Sequence, residues 1–85
     1  MARLIREGDG EGYFGSRVES YDPIQNMKLV GYTPMIGCCL KVGTVTAGMF
    51  SSRDWWMTTP ITEIISEDEQ EIRFKTKNSI YRLIK

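Results

Sequence analysis

The feature that most restricts the fold of this chain is a strict alternation of side chains in its last third. Apolar or β-branched residues occupy every second position and basic residues fill the positions between them: Ile72, Phe74 and Thr76 against Arg73, Lys75 and Lys77. This is the period of a β-strand with one buried and one solvated face. Residues 58–65 are rich in isoleucine and threonine, and the short polar segment 66–70 suits a turn. The pattern therefore predicts an antiparallel hairpin.

Neighbouring segments extend this hairpin into a larger sheet. A tight turn is predicted at 78–79, after which residues 80–84 return as a third strand. Residues 38–46 are again β-branched and alternating, which predicts a fourth strand. Residues 47–54 are mostly small and polar, which favours a loop. We therefore expect residues 38–85 to form an antiparallel β-meander.

Residues 1–37 are less regular, because glycine and proline recur through them. Residues 2–6 and 13–21 each have the composition of a strand. Residues 23–30 favour a single helical turn, with Asp22 as its cap and a proline at its first position.

The length of the chain limits it to one core. Eighty-five residues make one compact domain, so we expect a single domain over residues 1–85. Short strands with glycine-rich connections favour a mainly β fold. The expected architecture is a small antiparallel SH3-like barrel or rolled sheet of about four to six strands, with little helix.

The charges are balanced. Eleven Lys and Arg residues offset eleven Asp and Glu residues, so no net field draws the protein to nucleic acid or to an anionic membrane. No apolar run approaches the ~20 residues that span a bilayer. We expect a cytoplasmic protein that does not contact membranes.

The side chains that usually perform catalysis are scarce. The chain has two cysteines, Cys38 and Cys39, and no histidine, which is too few ligands for a four-coordinate zinc site. Adjacent cysteines strain a disulfide, so we expect two reduced thiols, one buried and one half-exposed. No nucleophile motif is present, and paired carboxylates occur only in the predicted turn at 66–70. The sequence predicts a protein that is not an enzyme and has no cofactor or metal.

Two adjacent tryptophans are the strongest candidates for a binding site. If Trp55 and Trp56 lie on a strand, they point to opposite faces, so one enters the core and the other lies on the surface or under a partner. Arg53 and Asp54 precede them, and an arginine beside an aromatic plane stacks on nucleobases and binds phosphates or carboxylates. Alternatively, the N-terminal segment folds over the second indole. These four residues form the predicted ligand- or partner-binding site.

Two further patterns suggest nucleotides or nucleic acid. Arg73, Lys75 and Lys77 line one strand face and could contact nucleic acid, although acidic residues on the paired strand and turn could equally solvate that face. The glycines of residues 10–15 have the spacing of a dinucleotide fingerprint, but no following helix is predicted and nearby carboxylates would repel a phosphate. A hairpin loop explains that segment better.

The last third of the chain also carries a resemblance. The runs WMTTPITEI at 56–64 and FKTKNSIY at 74–81 look like the C-terminal part of short uncharacterised proteins encoded by phages and other mobile elements. The resemblance assigns no functional residue. It implies a small phage protein that occupies a host protein or sequesters a small molecule in the host cytoplasm. Together with the missing catalytic residues, the run from Arg53 to Trp56 and a small core that would gain from burial between subunits, it favours a non-catalytic, homo-oligomeric binding module that inhibits a host defence system or sequesters a nucleotide-type ligand. The alternatives are a small-barrel nucleic-acid-binding protein and a small structural subunit of a larger assembly.

Overall fold

The computed structural model describes the backbone of residues 2–46 and 49–85 and the side chains of residues 2–44 and 55–85. Strands account for 64% of the chain, and the described part contains no helix, hence none that could cross a membrane. The nine strands are β1 Ala2–Arg6, β2 Gly12–Gly15, β3 Arg17–Asp22, β4 Lys28–Gly31, β5 Cys39–Thr46, β6 Met49–Met57, β7 Ile61–Glu67, β8 Glu71–Thr76 and β9 Ile80–Ile84.

The strands form two antiparallel sheets. One has five strands in the order β2-β1-β9-β8-β7, and the other has four in the order β4-β3-β5-β6. The mainly β prediction is confirmed. The number of strands is higher than the predicted four to six, because residues 1–37 supply four strands instead of two and β6 forms where a loop was expected. The two sheets do not close into a barrel.

The predicted hairpin and the strand after it are present as β7, β8 and β9 in the five-stranded sheet. Phe74 pairs with Ile64 on one side and with Tyr81 on the other. Ile72, Phe74 and Thr76 are buried as the alternation predicts. In contrast, β5 and β6 lie in the four-stranded sheet, so the expected meander over 38–85 is divided between two sheets.

Three local predictions are corrected. The single strand expected at 13–21 is divided at Ser16 into β2 and β3. The helical turn expected at 23–30 is a turn over 23–26 followed by β4, although Asp22 Oδ1 does accept a hydrogen bond from the Ile24 backbone N–H at 2.9 Å. The loop expected at 47–54 is strand β6 from Met49 onward, and residues 47–48 lie outside the described residues.

The chain passes from one sheet to the other at two corners. At the first, Gly15 lies so close to β5 that a Cβ would overlap the carbonyl oxygen of Gly43, so this approach requires glycine. At the second, residues 58–60 connect β6 to β7. There Thr58 Oγ1 accepts a hydrogen bond from the Leu40 backbone N–H at 3.1 Å, and the Thr58 backbone N–H donates to the Leu40 carbonyl at 2.8 Å.

The core lies between the sheets and draws on both halves of the chain. Phe74 stacks on Tyr81 with ring centroids 5.4 Å apart, and Trp56 meets Tyr81 edge-on at 6.0 Å. Strand β1 pairs with β9, the central strand of the five-stranded sheet, which joins the first strand to the last. The buried cluster consists of Leu4, Leu40, Val42, Ile61, Ile72, Phe74, Tyr81 and Leu83.

Both cysteines are free and buried, so the expectation of one half-exposed thiol is wrong. The Cys38 carbonyl accepts a hydrogen bond from the Ile61 backbone N–H at 3.0 Å, in the second corner. Cys39 pairs in register with Tyr21 on β3. Burial raises the pKa of both thiols, which lowers their reactivity at neutral pH.

Candidate functional site

Strand β6 places the two tryptophans on opposite faces of the four-stranded sheet, as alternation requires. Trp56 lies opposite Val42 and packs against the core. Trp55 lies opposite Gly43 on the outer face, and 39% of its surface is exposed. The prediction that one indole enters the core and the other reaches the surface is confirmed, and the exposed indole is that of Trp55.

A cleft of about 530 Å³ lies between β6 and the turn that joins β1 to β2. We refer to it as the tryptophan cleft. It is lined by Arg6, Asp9, Glu11, Gly12, Tyr13, Trp55 and Trp56. The acidic glycine-rich loop and the tryptophan pair, which are more than forty positions apart in the sequence, thus form the two walls of one depression.

One wall of the cleft is held by an ion pair. The Arg6 guanidinium lies 5.2 Å from the centre of the Trp56 ring and donates to Asp9 from Nε at 3.1 Å and from Nη2 at 2.6 Å. Asp9 Oδ1 also accepts a hydrogen bond from the Glu11 backbone N–H at 3.0 Å. The hydrogen bond from Arg6 holds the pKa of Asp9 below its usual value, so this carboxylate stays charged at neutral pH.

A different cation lies over the exposed indole of Trp55. The Lys41 ammonium lies 4.4 Å from the centre of the Trp55 ring and 5.8 Å from that of Tyr21. The Tyr21 hydroxyl donates to Glu19, which also accepts from Arg17 Nε at 2.8 Å. Burial and the Glu19 carboxylate raise the pKa of Tyr21 to about 12. The outer face beside Trp55 is therefore an ordered polar and aromatic network.

The cations beside the tryptophans differ from the predicted one. The backbone of Arg53 and Asp54 belongs to β6, but their side chains lie outside the described residues. The structure instead brings Arg6 to Trp56 and Lys41 to Trp55. No local signal identifies either contact, because each depends on strand pairing between distant segments.

The predicted nucleic-acid face lies on the outer side of the five-stranded sheet, away from the core. Arg73 donates to Glu7 from Nε at 2.6 Å and from Nη2 at 2.9 Å, and these bonds lower the pKa of Glu7. Lys75 and Lys77 flank a groove of about 440 Å³ that Glu7 also lines. Acidic neighbours therefore do solvate the face, but the partner of Arg73 comes from the turn after β1.

Within residues 2–44 and 55–85, no three histidine, cysteine or acidic side chains are grouped closely enough to hold a metal ion. Comparison of the chain with protein-family models, curated proteins and solved structures finds no match.

Proposed function

We propose that this chain is a non-catalytic binding module that contacts its partner through the tryptophan cleft. The observation that supports this proposal is the partly exposed indole of Trp55 at the wall of a depression. Exposed tryptophans are unusual on a free surface, and in protein interfaces they are among the residues that contribute most of the binding energy.

The charges of the cleft favour a protein over a nucleotide as the partner. Asp9 and Glu11 are acidic, and the single described cation of the lining, Arg6, is already bound to Asp9. A phosphate in the cleft would therefore meet two carboxylates and only one neutralised guanidinium. A protein surface with neutral or basic side chains avoids that repulsion.

The resemblance to small phage proteins supports a role in occupying a host protein, such as a component of a defence system. The corners at Ser16 and at residues 58–60 join the two sheets into a rolled β-structure, which supports an open relative of the SH3-like barrel. The fold by itself does not assign a partner.

Nucleic-acid binding is a second candidate, supported by the exposed Lys75 and Lys77 beside their groove. It is the weaker candidate, because Arg73 and Arg82 on the same face are engaged by Glu7 and Glu71. Binding to a duplex oligonucleotide that weakens steeply with added salt and is lost in the Lys75→Ala/Lys77→Ala variant would favour this candidate.

Affinity purification from host-cell lysate with tagged wild-type protein and two variants tests the lead proposal. Trp55→Ala should lose the partner, whereas Phe14→Ala, which removes an exposed ring outside the cleft, should keep it. The recovered protein is then titrated by calorimetry against the same three proteins. Retention of the partner by Trp55→Ala would refute the proposal. If the wild type binds ATP and Trp55→Ala does not, the ligand of the cleft is a nucleotide and not a protein.

A further inference from the structure

The exposed apolar residues of this protein are concentrated in one segment. Of eight large hydrophobic side chains exposed in the described part of the chain, six lie within 24–36: Ile24, Met27, Leu29, Val30, Tyr32 and Ile36. We refer to residues 23–37 as the apolar segment. It contains a single charged residue, Lys28, although 26% of the whole chain is charged. Scattered exposed hydrophobics are ordinary, but clustering with loss of charge is typical of an interface.

The apolar segment includes a sheet edge. Strand β4 pairs with β3 on one side, and no other strand of the described chain pairs with its outer side. Leu29 lies opposite Tyr21 and Gly31 lies opposite Ser20, so Val30 is the extra residue at a register shift between β3 and β4. Leu29 and Val30 are both 39% exposed. Strand β4 thus presents two partly exposed apolar side chains beside an edge whose outer backbone groups have no strand partner in the described chain.

We propose that the β4 edge and the apolar segment bind a second copy of this chain, with the two β4 strands antiparallel about a two-fold axis. A two-fold axis perpendicular to the sheet keeps each side chain on the same face in both copies, so an axis at Val30 places Val30 of each copy beside Val30 of the other. The two Lys28 residues, each two positions from the axis, then lie about 13 Å apart at opposite ends of the paired strands, where salt screens their repulsion.

The available area agrees with a dimer. At their observed exposures, the six apolar side chains present on the order of 600 Å² per copy, close to the roughly 800 Å² that each partner contributes to a standard interface. Pairing of the two edges adds main-chain hydrogen bonds. A different protein is a less suitable partner for this surface. Complementary charges select one protein partner over another, and Lys28 is the only charged residue in the apolar segment. A second copy needs only the self-complementary surface.

Sedimentation velocity of the full chain between about 1 and 300 µM tests this interface. The wild type should dimerise in the micromolar range. Val30→Lys should weaken the dimer at least about tenfold, since it places a charge at the centre of the contact. Ile24→Lys, at a turn position that is 90% exposed, cannot disturb the core and should weaken it too. Phe14→Lys, at an exposed site outside the segment, should leave it unchanged.

Several outcomes of this experiment would contradict the proposal. A wild type that stays monomeric over the whole range overturns it, as does assembly that continues beyond a dimer. A dimer that tolerates both Val30→Lys and Ile24→Lys, or that is lost in Phe14→Lys, places the contact elsewhere. Circular dichroism of each variant separates loss of the dimer from loss of the fold. The proposal does not depend on the tryptophan cleft, so the dimer should persist in Trp55→Ala.

Discussion

Replacing Phe74 by alanine removes the ring at the centre of the core. Phe74 is fully buried and stacks on Tyr81 with ring centroids 5.4 Å apart. A phenylalanine ring buries roughly 150–250 Å², which corresponds to about 4–6 kcal/mol at 25 cal/mol per Å². Truncations of buried phenylalanine cost about 3–5 kcal/mol, because the surroundings partly relax into the cavity. We expect a loss of stability in that range.

Urea denaturation measures this loss, with tryptophan fluorescence as the signal because Trp56 packs against the core. A domain of this length has a total stability of roughly 4–13 kcal/mol, so Phe74→Ala could be largely unfolded without urea. Phe74→Leu, expected to cost about 1–2 kcal/mol, keeps the test measurable. Lys75→Ala is the control, and its exposed side chain predicts a change within about 0.5 kcal/mol.

Comparable midpoints for the Phe74 and Lys75 variants would refute this reasoning. A register shift of one residue moves every side chain of a strand to the other face. Equal effects would therefore mean that β8 does not bury the face carrying Phe74.

Three further predictions concern the corners and one ion pair. In urea denaturation, Gly15→Ala should lower the free energy of unfolding by more than about 2 kcal/mol or prevent folding. Gly8 has open space around it but a φ of 104°, so Gly8→Ala should lower that free energy by about 1 kcal/mol. Thr58→Val should cost about 1–3 kcal/mol by the same assay, because a buried backbone N–H loses its acceptor. Since Arg73 lowers the pKa of Glu7, the advantage of wild type over Glu7→Gln should be greatest at neutral pH, shrink as pH falls below about 4.5 and decrease with added salt.

The part of the fold that sequence alone predicts is the part encoded by neighbours in the chain. The β7–β8 hairpin and the turn before β9 follow from alternation and short polar connections, which are local. The opposite orientation of Trp55 and Trp56 follows from the same period. Each of these features is encoded within a short stretch of the chain and does not depend on which distant strands pair.

The remaining features depend on contacts between distant segments. The corner after Gly15 exists because that glycine packs on Gly43. Strand β1 lies inside the five-stranded sheet because it pairs with β9, at the opposite end of the sequence, as well as with β2. The tryptophan cleft exists because β6 lies beside the β1–β2 turn, which brings Arg6 to Trp56. Periodicity within a window of ten residues carries no information about such pairings.

The same division separates two groups of residues. Trp56, Thr58, Ile61, Phe74, Thr76 and Tyr81 lie in the core, pack against it or lie in the second corner, so each has a structural reason to be the residue that it is. Trp55, the β1–β2 turn and the apolar segment are exposed instead. The fold accounts for the first group, and a partner is therefore to be sought on the second.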